Sequence, residues 1–329
     1  MRALVTGGGG FLGGGICRAL RAQGHAVVAL QRSTAPELAA LGVEVRSGDI
    51  ADAQTVADAA RGCDTIFHVA AKAGHWGSYD DYFRANVSGT RHVLAACQRH
   101  RIGRLVHTST PSVVHAGGDL EGVDERAPYA TRFLAHYPAT KTLAEQEVLA
   151  ANGPALATVA LRPHLIWGPG DNHLLPRILA RARAGRLRFI GPPGKRIDAT
   201  YIDNAVDAHL KAAATLEPGA PQAGRAYFIS NGEPIATEDM INRMLECAGL
   251  PPVHARISFG VAYAVGALLE AAYGILKLPG EPIMTRFVAE QLATAHWYDI
   301  SAAARDFGFA PQVTMAQGFA ALRASLMRE

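Results

Sequence analysis

The chain has 329 residues, with 32 lysines and arginines against 29 aspartates and glutamates and a formal net charge of +3. That length can bury a substantial core as one large domain or two unequal lobes, and so balanced a charge excludes the basic field that recruits nucleic acid. Cys17, Cys63, Cys97 and Cys247 form no CxxC pair and no cluster with histidine, so they read as reduced packing thiols and no metal site is expected. Glycines begin at Gly7, where the apolar core of a secretion signal would have to continue, so a cytoplasmic protein is expected.

In chain order, RALVTG, AVVALQR, VEVRSGD, TIFHVAA, RLVHTST and ATVALRP read as strands. Helical patterns alternate with them at Phe11–Gln23, Ala53–Arg61, Tyr82–His100 and Ala139–Ala151. Strict β-α alternation predicts a doubly wound parallel sheet with helices on both faces, a Rossmann-type α/β fold. Residues 1–165 are expected to form this dinucleotide-binding unit. Beyond Arg162 the pattern loosens into Pro- and Gly-rich connections and then mostly helix, so 166–329 is expected to form a smaller, mostly helical substrate lobe. ATYIDNAVDAH and GRAYFISNG look like late strands, with a helix from Ala205 onward, so the chain is expected to return to the sheet near 195–231 and the lobes not to divide cleanly.

LVTGGGGFLGGG follows the first strand and opens the first helix. Glycine there lets backbone approach a pyrophosphate, whose charge is stabilised by amides at the helix start. Two templates fit, Gly7-x-x-Gly10-x-x-Gly13 and Gly8-x-Gly10-x-x-Gly13, and the close strand–Thr6–Gly7 junction favours the first. An NAD site usually ends its second strand in a carboxylate that holds the ribose hydroxyls. Here Gln31 stands at that place and Arg32 follows. A carboxylate would repel a 2′-phosphate, whereas guanidinium binds one through paired hydrogen bonds, so NADPH/NADP+ is the expected cofactor. Asp49, ending the third strand, is a candidate for the adenine amino group or a plain turn cap.

The apolar stretch from Ser258 to Gly280 is interrupted by Glu270 and several glycines. A membrane span needs roughly 20 apolar residues and disfavours a central carboxylate. Burial in a helical lobe is the expectation; peripheral contact with a lipid interface and the lining of a large aliphatic pocket are the alternatives.

With HVAA, ANVSGT, HTSTPSVV, YPATK, LRPHLIWGPGD and TYIDNAVDAH in this order, the chain resembles an extended short-chain dehydrogenase/reductase of the 3β-hydroxysteroid dehydrogenase/isomerase-like branch. Further stretches, AAKAGHWGSYDDY and HWYDIS, are similar to the bacterial members of that branch that reduce 2-alkyl-3-oxoalkanoates in long-chain olefin biosynthesis. The resemblance implies a cofactor site at Gly7, Gly10, Phe11, Leu12, Gly13, Arg32, Asp49, Ile50 and Ala70, joined by Tyr137 and Lys141. It implies a catalytic set of Tyr137, Lys141 and a third hydroxyl. That hydroxyl aligns best with Thr110, with Ser109 and Ser112 close by. Asn86 is expected to be structural, Trp167 to line the pocket or the core, and His164, His75 and Trp76 to lie near substrate.

Hydride transfer to a ketone develops negative charge on its oxygen, so a proton donor is required. Tyr137 fits the donor. Lys141, one helical turn on, is spaced to lower the phenol's pKa and to reach the nicotinamide ribose. The expected reaction is NADPH-dependent reduction of a lipophilic β-keto acid. The rivals are a 3β-hydroxysteroid or sterol dehydrogenase and a nonenzymatic NADP-binding scaffold. Expected partners are the small lipophilic substrate and, beyond it, a second copy or other enzymes of the same pathway.

Overall fold

The computed structural model describes residues 1–328. Seven parallel strands form its centre: β1 (Arg2–Thr6), β2 (Ala26–Gln31), β3 (Glu44–Ser47), β4 (Thr65–His68), β5 (Arg104–Thr108), β6 (Ala157–Pro163) and β7 (Arg225–Ile229). They lie in the order β7-β6-β5-β4-β1-β2-β3. Helices cover both faces, so alternate residues of one strand enter different cores: Ala3 and Val5 pack into one, Leu4 into the other. Strand order reverses between β1 and β4, which opens a crevice at the carboxyl ends of the strands, where ligands bind in open α/β sheets.

The late return to the sheet is made by β7 alone, which pairs with β6. Thr200–Tyr201 instead pairs only with Ile166–Trp167, and the helix that follows begins at Ile202 rather than Ala205. The predicted Tyr82–His100 helix is broken. A short turn at Tyr79–Tyr82 runs into a π-helical turn at Phe83–Ser88, and the α-helix proper spans Gly89–His100. The Asn86 side chain lies within the π turn and binds outside its own helix, so the local widening has a tertiary cause. Leu120–Val123, His296–Tyr298, Arg196–Ile197 and Ile235–Ala236 form a second, smaller sheet.

The apolar stretch forms the helix Phe259–Leu276, and its expected burial is corrected by the structure. Only Ala262 and Gly266 are buried, whereas Leu268 is 71% and Ile275 80% exposed. One narrow stripe packs. A Cβ at Gly266 would meet the Thr285–Arg286 backbone at 2.6 Å, and the Glu270 carboxylate takes the Arg286 amide and guanidinium. The helix is long and apolar enough to cross a membrane by length and composition.

Candidate active site

The glycine loop is dictated by sterics. The chain leaves β1 through Gly7 at φ +71°, a left-handed turn that L side chains rarely adopt. A Cβ on Gly13 would lie 2.2 Å from the Gly7 carbonyl oxygen, and one on Gly8 would lie 2.6 Å from the Ala29 Cβ. Gly7 therefore supplies conformation while Gly8 and Gly13 supply close packing. Gly10 donates to the Gly7 carbonyl at 2.9 Å and precedes Phe11, the first residue of a helix with no side-chain cap. The amides of Phe11, Leu12 and Gly13 thus start a helix as unpaired donors, a cradle suited to a pyrophosphate.

Gln31 ends β2 and is buried. Its amide nitrogen donates to the Ser33 carbonyl at 3.0 Å, while its Oε1 is buried without a partner. Arg32 is exposed and makes no ion pair among the described residues. Asp49 caps its own turn, accepting from the Ala51 amide at 2.9 Å. Ile50 packs where a Cβ on Gly89 would touch it at 3.0 Å. Ala70 is held at the loop by the Thr6 hydroxyl, which accepts both the Val69 and Ala70 amides at 3.1 Å.

Tyr137 and Lys141 sit in the first turns of the His136–Ala150 helix, with Pro138 between them. Burial pushes the Tyr137 phenol up, and the neighbouring Thr110 hydroxyl opposes that by hydrogen bonding. Thr110 is also 2.9 Å from the Ser112 hydroxyl, whereas the Ser109 hydroxyl is buried without a partner. The Lys141 ammonium donates to the Thr108 carbonyl at 2.7 Å and to His107 Nε2 at 3.1 Å. Its own pKa is pushed down to about 7 by burial, with Glu145 pulling the other way. Burial is thus the largest influence on the Tyr137 phenol, and the lysine is itself a strongly shifted group.

This shift has a consequence for stability. Lys141 has a folded-state pKa below its unfolded value of 10.5. Between about pH 10.5 and about 7 the unfolded chain therefore holds the extra proton, so this lysine's contribution to stability falls as pH falls through that window and levels off below about 7. Lys141→Met should gain stability relative to the parent as pH drops from about 10 to 7. Chemical denaturation of both proteins across that range checks it, and a constant difference would refute the shift.

Around the pair stands a buried polar frame, of which sequence reasoning singled out only Asn86 as structural. Thr6 donates to His68 Nδ1 and Thr90 accepts from His68 Nε2, both at 2.9 Å, because the Thr90 proton goes to the Asn86 carbonyl. His68 is thereby fixed as the neutral Nε2 tautomer, and burial holds its pKa down to about 3. His107, which touches Lys141, is likewise held neutral by burial. Glu145, fully buried one turn beyond Lys141, takes two hydrogen bonds from the Arg162 Nε and Nη2 groups and one from the Tyr129 hydroxyl at 2.7 Å. The spacing of Glu145 from Lys141 was readable in the helix; its Arg162 partner comes from β6 and left no local signal. The Asn86 oxygen accepts the Lys72 amide at 2.7 Å, and its nitrogen donates to Thr140 on the Tyr137 helix at 3.0 Å, so this side chain ties two elements together.

Trp167 belongs to the core, fully buried against Phe319 with ring centroids 4.5 Å apart. His75 and Trp76 lie in a loop that meets the apolar segment, His75 facing Glu281 at 3.9 Å and Trp76 facing Tyr273 edge-on at 6.1 Å. His164 is bound through Nδ1 to the buried Asp198 carboxylate at 2.6 Å.

The model of the 3-beta hydroxysteroid dehydrogenase/isomerase family matches residues 4–259. The chain is 55% identical over 327 residues to the 2-alkyl-3-oxoalkanoate reductase of Stenotrophomonas maltophilia (strain K279a), covering 99% of each. It is 51% identical to the 2-alkyl-3-oxoalkanoate reductase of Shewanella oneidensis, covering 98% of this chain and 86% of the other. Among solved structures, MoeE5 in complex with UDP-glucose and NAD superposes with a TM-score of 0.77 at 24% identity, covering 100% of this chain and 99% of the other, a likeness of fold.

Proposed function

The chain belongs to the 3-beta hydroxysteroid dehydrogenase/isomerase family, an oxidoreductase family of nicotinamide-dependent fold, and from that premise we propose that it reduces a 2-alkyl-3-oxoalkanoic acid to the 3-hydroxy acid with NADPH. The observation that carries the reading is the meeting of Tyr137, Thr110 and buried Lys141 beside an uncapped glycine-loop helix, in a chain 55% identical to a reductase of that name. The amides of Phe11, Leu12 and Gly13 would hold the pyrophosphate, and Lys141 the nicotinamide ribose. When bound, the reduced nicotinamide supplies the hydride. Tyr137 gives its hydroxyl proton to the ketone oxygen as charge develops there, and Thr110 orients that oxygen by a second hydrogen bond. Lys141 holds positive charge behind the phenol and so favours the phenolate left after transfer.

The preference for NADPH rests on Gln31, which puts no charge at the end of β2, and on the unpaired Arg32 beside it. Gln31→Asp should weaken NADPH binding roughly tenfold or more while sparing NADH, because the new carboxylate repels the 2′-phosphate. Fluorescence titration of both cofactors against both proteins reads this directly. Equal or tighter NADH binding by the parent protein would sink the assignment. The reaction is tested with NADPH and a ketone panel of β-keto acids, sterol ketones and nucleotide-sugar ketones, following loss of reduced nicotinamide. Turnover confined to the β-keto acids is expected; preference for a sterol ketone would replace the reading.

A further inference from the structure

A histidine cluster outside the catalytic set lies at the carboxyl end of β5 and β6. His164 follows β6 by one residue, and Thr110 follows β5 by two. The two strands are paired, with Thr108 opposite Leu161 and the Ser109 amide on the Leu161 carbonyl at 2.6 Å. Neighbouring strands lie roughly 4.8 Å apart, so the backbone that carries His164 leaves the sheet beside the one that carries Thr110. From Thr110 the contacts continue through Ser112 to His115, whose amide meets the Ser112 carbonyl at 3.4 Å.

His164 is clamped on every side but one. Its amide donates to the Ile229 carbonyl at 3.0 Å, its carbonyl accepts the Thr200 hydroxyl at 2.6 Å, and its Nδ1 donates to Asp198 at 2.6 Å. Asp198 is fully buried and its other oxygen is taken by the Tyr298 amide at 3.0 Å. The next residue, Leu165, holds φ +40°, a left-handed conformation costly for a side chain with a Cβ and kept only where surroundings enforce it. What remains free is His164 Nε2, which has no hydrogen bond among the described residues, on a side chain 14% exposed.

Against the His164 ring stands His296, edge-on with centroids 5.0 Å apart. His296 is buried, donates from Nε2 to the Gln291 carbonyl at 2.8 Å, and has an Nδ1 with no partner. His115 packs edge-on against His296 at 5.9 Å and faces Glu290 at 3.5 Å, while the Tyr298 ring closes the other side of His164 at 5.6 Å. Burial lowers the pKa of both His296 and His115, so these two rings stand neutral at pH 7. His164 is thus the member of the cluster that a buried carboxylate holds directly and whose second nitrogen is left to a ligand. Arg162 and Lys195, the cations on flanking elements, are already paired with Glu145 and Asp119.

We propose that His164, held by Asp198 and backed by His296, is the anchor for the substrate's carboxylate and so sets the preference for a 3-oxo acid over a neutral ketone. In such an acid the carboxylate is borne on C2, next to the reacting carbonyl carbon, so its anchor belongs on the element neighbouring the one that carries Thr110, and His164 is on that element. The ring's Nδ1 is committed to the buried Asp198 carboxylate, so Nε2 is the nitrogen that would share a proton with a bound carboxylate, a charge-assisted bond with one fixed direction.

The inference rests on the keto-acid reading, and its test separates the two. Since 3-oxo acids lose carbon dioxide readily, the reaction is run backwards. The stable 2-alkyl-3-hydroxy acid and its methyl ester are each oxidised with NADP+, which accepts the C3 hydride while the hydroxyl proton is released. The parent protein should favour the acid. His164→Gln should raise KM for the acid roughly ten- to a hundredfold, the span of a hydrogen bond to a charged group, with kcat little changed, so that the acid-to-ester ratio of kcat/KM collapses toward one. Asp198→Asn should lower the same ratio and serves if the first variant does not fold; retained NADP+ binding reports folding in both. An unchanged ratio in the folded variants, or a loss confined to kcat for acid and ester alike, overturns the anchor. Oxidation of neither compound by the parent overturns the keto-acid reading itself.

Discussion

Replacing Tyr137 by phenylalanine should lower kcat roughly a hundred- to ten-thousandfold while leaving cofactor affinity within a few-fold of the parent, since positioned proton transfer contributes about that factor. The substitution removes one oxygen from a side chain whose ring fills its place in the first turn of the His136–Ala150 helix, so little packing is lost. What disappears is the proton donor. The hydroxyl of Thr110 remains, hydrogen-bonded to Ser112 at 2.9 Å, but an aliphatic hydroxyl is a far weaker acid than a phenol. Stopped-flow turnover beside a cofactor titration measures both quantities. A variant that keeps a tenth or more of the parent's rate would remove Tyr137 from the role of acid.

Arg162→Ala should destabilise the fold by about 3–5 kcal/mol, because it strands a carboxylate in the core. Glu145 is fully buried and Arg162 only 3% exposed, and two guanidinium nitrogens bind the carboxylate in the parent. The guanidinium also lies over the Tyr129 and Phe228 rings, 5.5 and 5.1 Å from their centroids, so packing is lost with the charge. Removing both partners as Glu145→Leu with Arg162→Met should recover much of the loss, since no charge is then left unpaired. Urea denaturation of the single and double variants checks this. Because Glu145 also supports the charge on Lys141, the double variant should fold yet turn over more slowly.

The β-α alternation was legible because the central strands, such as Thr65–His68 and Ala157–Pro163, are buried along their whole length and so read as short continuous apolar runs between longer helical patterns. The glycine loop was legible for a similar reason: its residues are fixed by contacts with near neighbours, such as Gly13 against the Gly7 carbonyl. The helix Phe259–Leu276 was misread because composition alone does not report where a face packs. Its apolar residues surround the whole helix, and only the stripe through Ala262 and Gly266 has a partner. The π turn at Phe83–Ser88 and the early helix start at Ile202 come from long-range hydrogen bonds, Asn86 to Lys72 and the Asn204–Asn231 pair, that no local window contains. In the site, Tyr137 and Lys141 were found by spacing within one helix. The frame that sets their electrostatics was not, because His107, Arg162 and Asp198 arrive from separate strands and loops.

The central claim is that a hydride passes to C3 of a 2-alkyl-3-oxo acid from NADPH held on the glycine loop. Its most direct measurement uses NADPH deuterated at C4 of the nicotinamide, prepared as each of the two stereoisomers, with freshly made 2-alkyl-3-oxo acid and mass analysis of the product. One stereoisomer should yield 3-hydroxy acid bearing a single deuterium at C3, and the other should yield none. Product without deuterium from either, or recovery of only the decarboxylated ketone alongside unconsumed NADPH, would contradict the account.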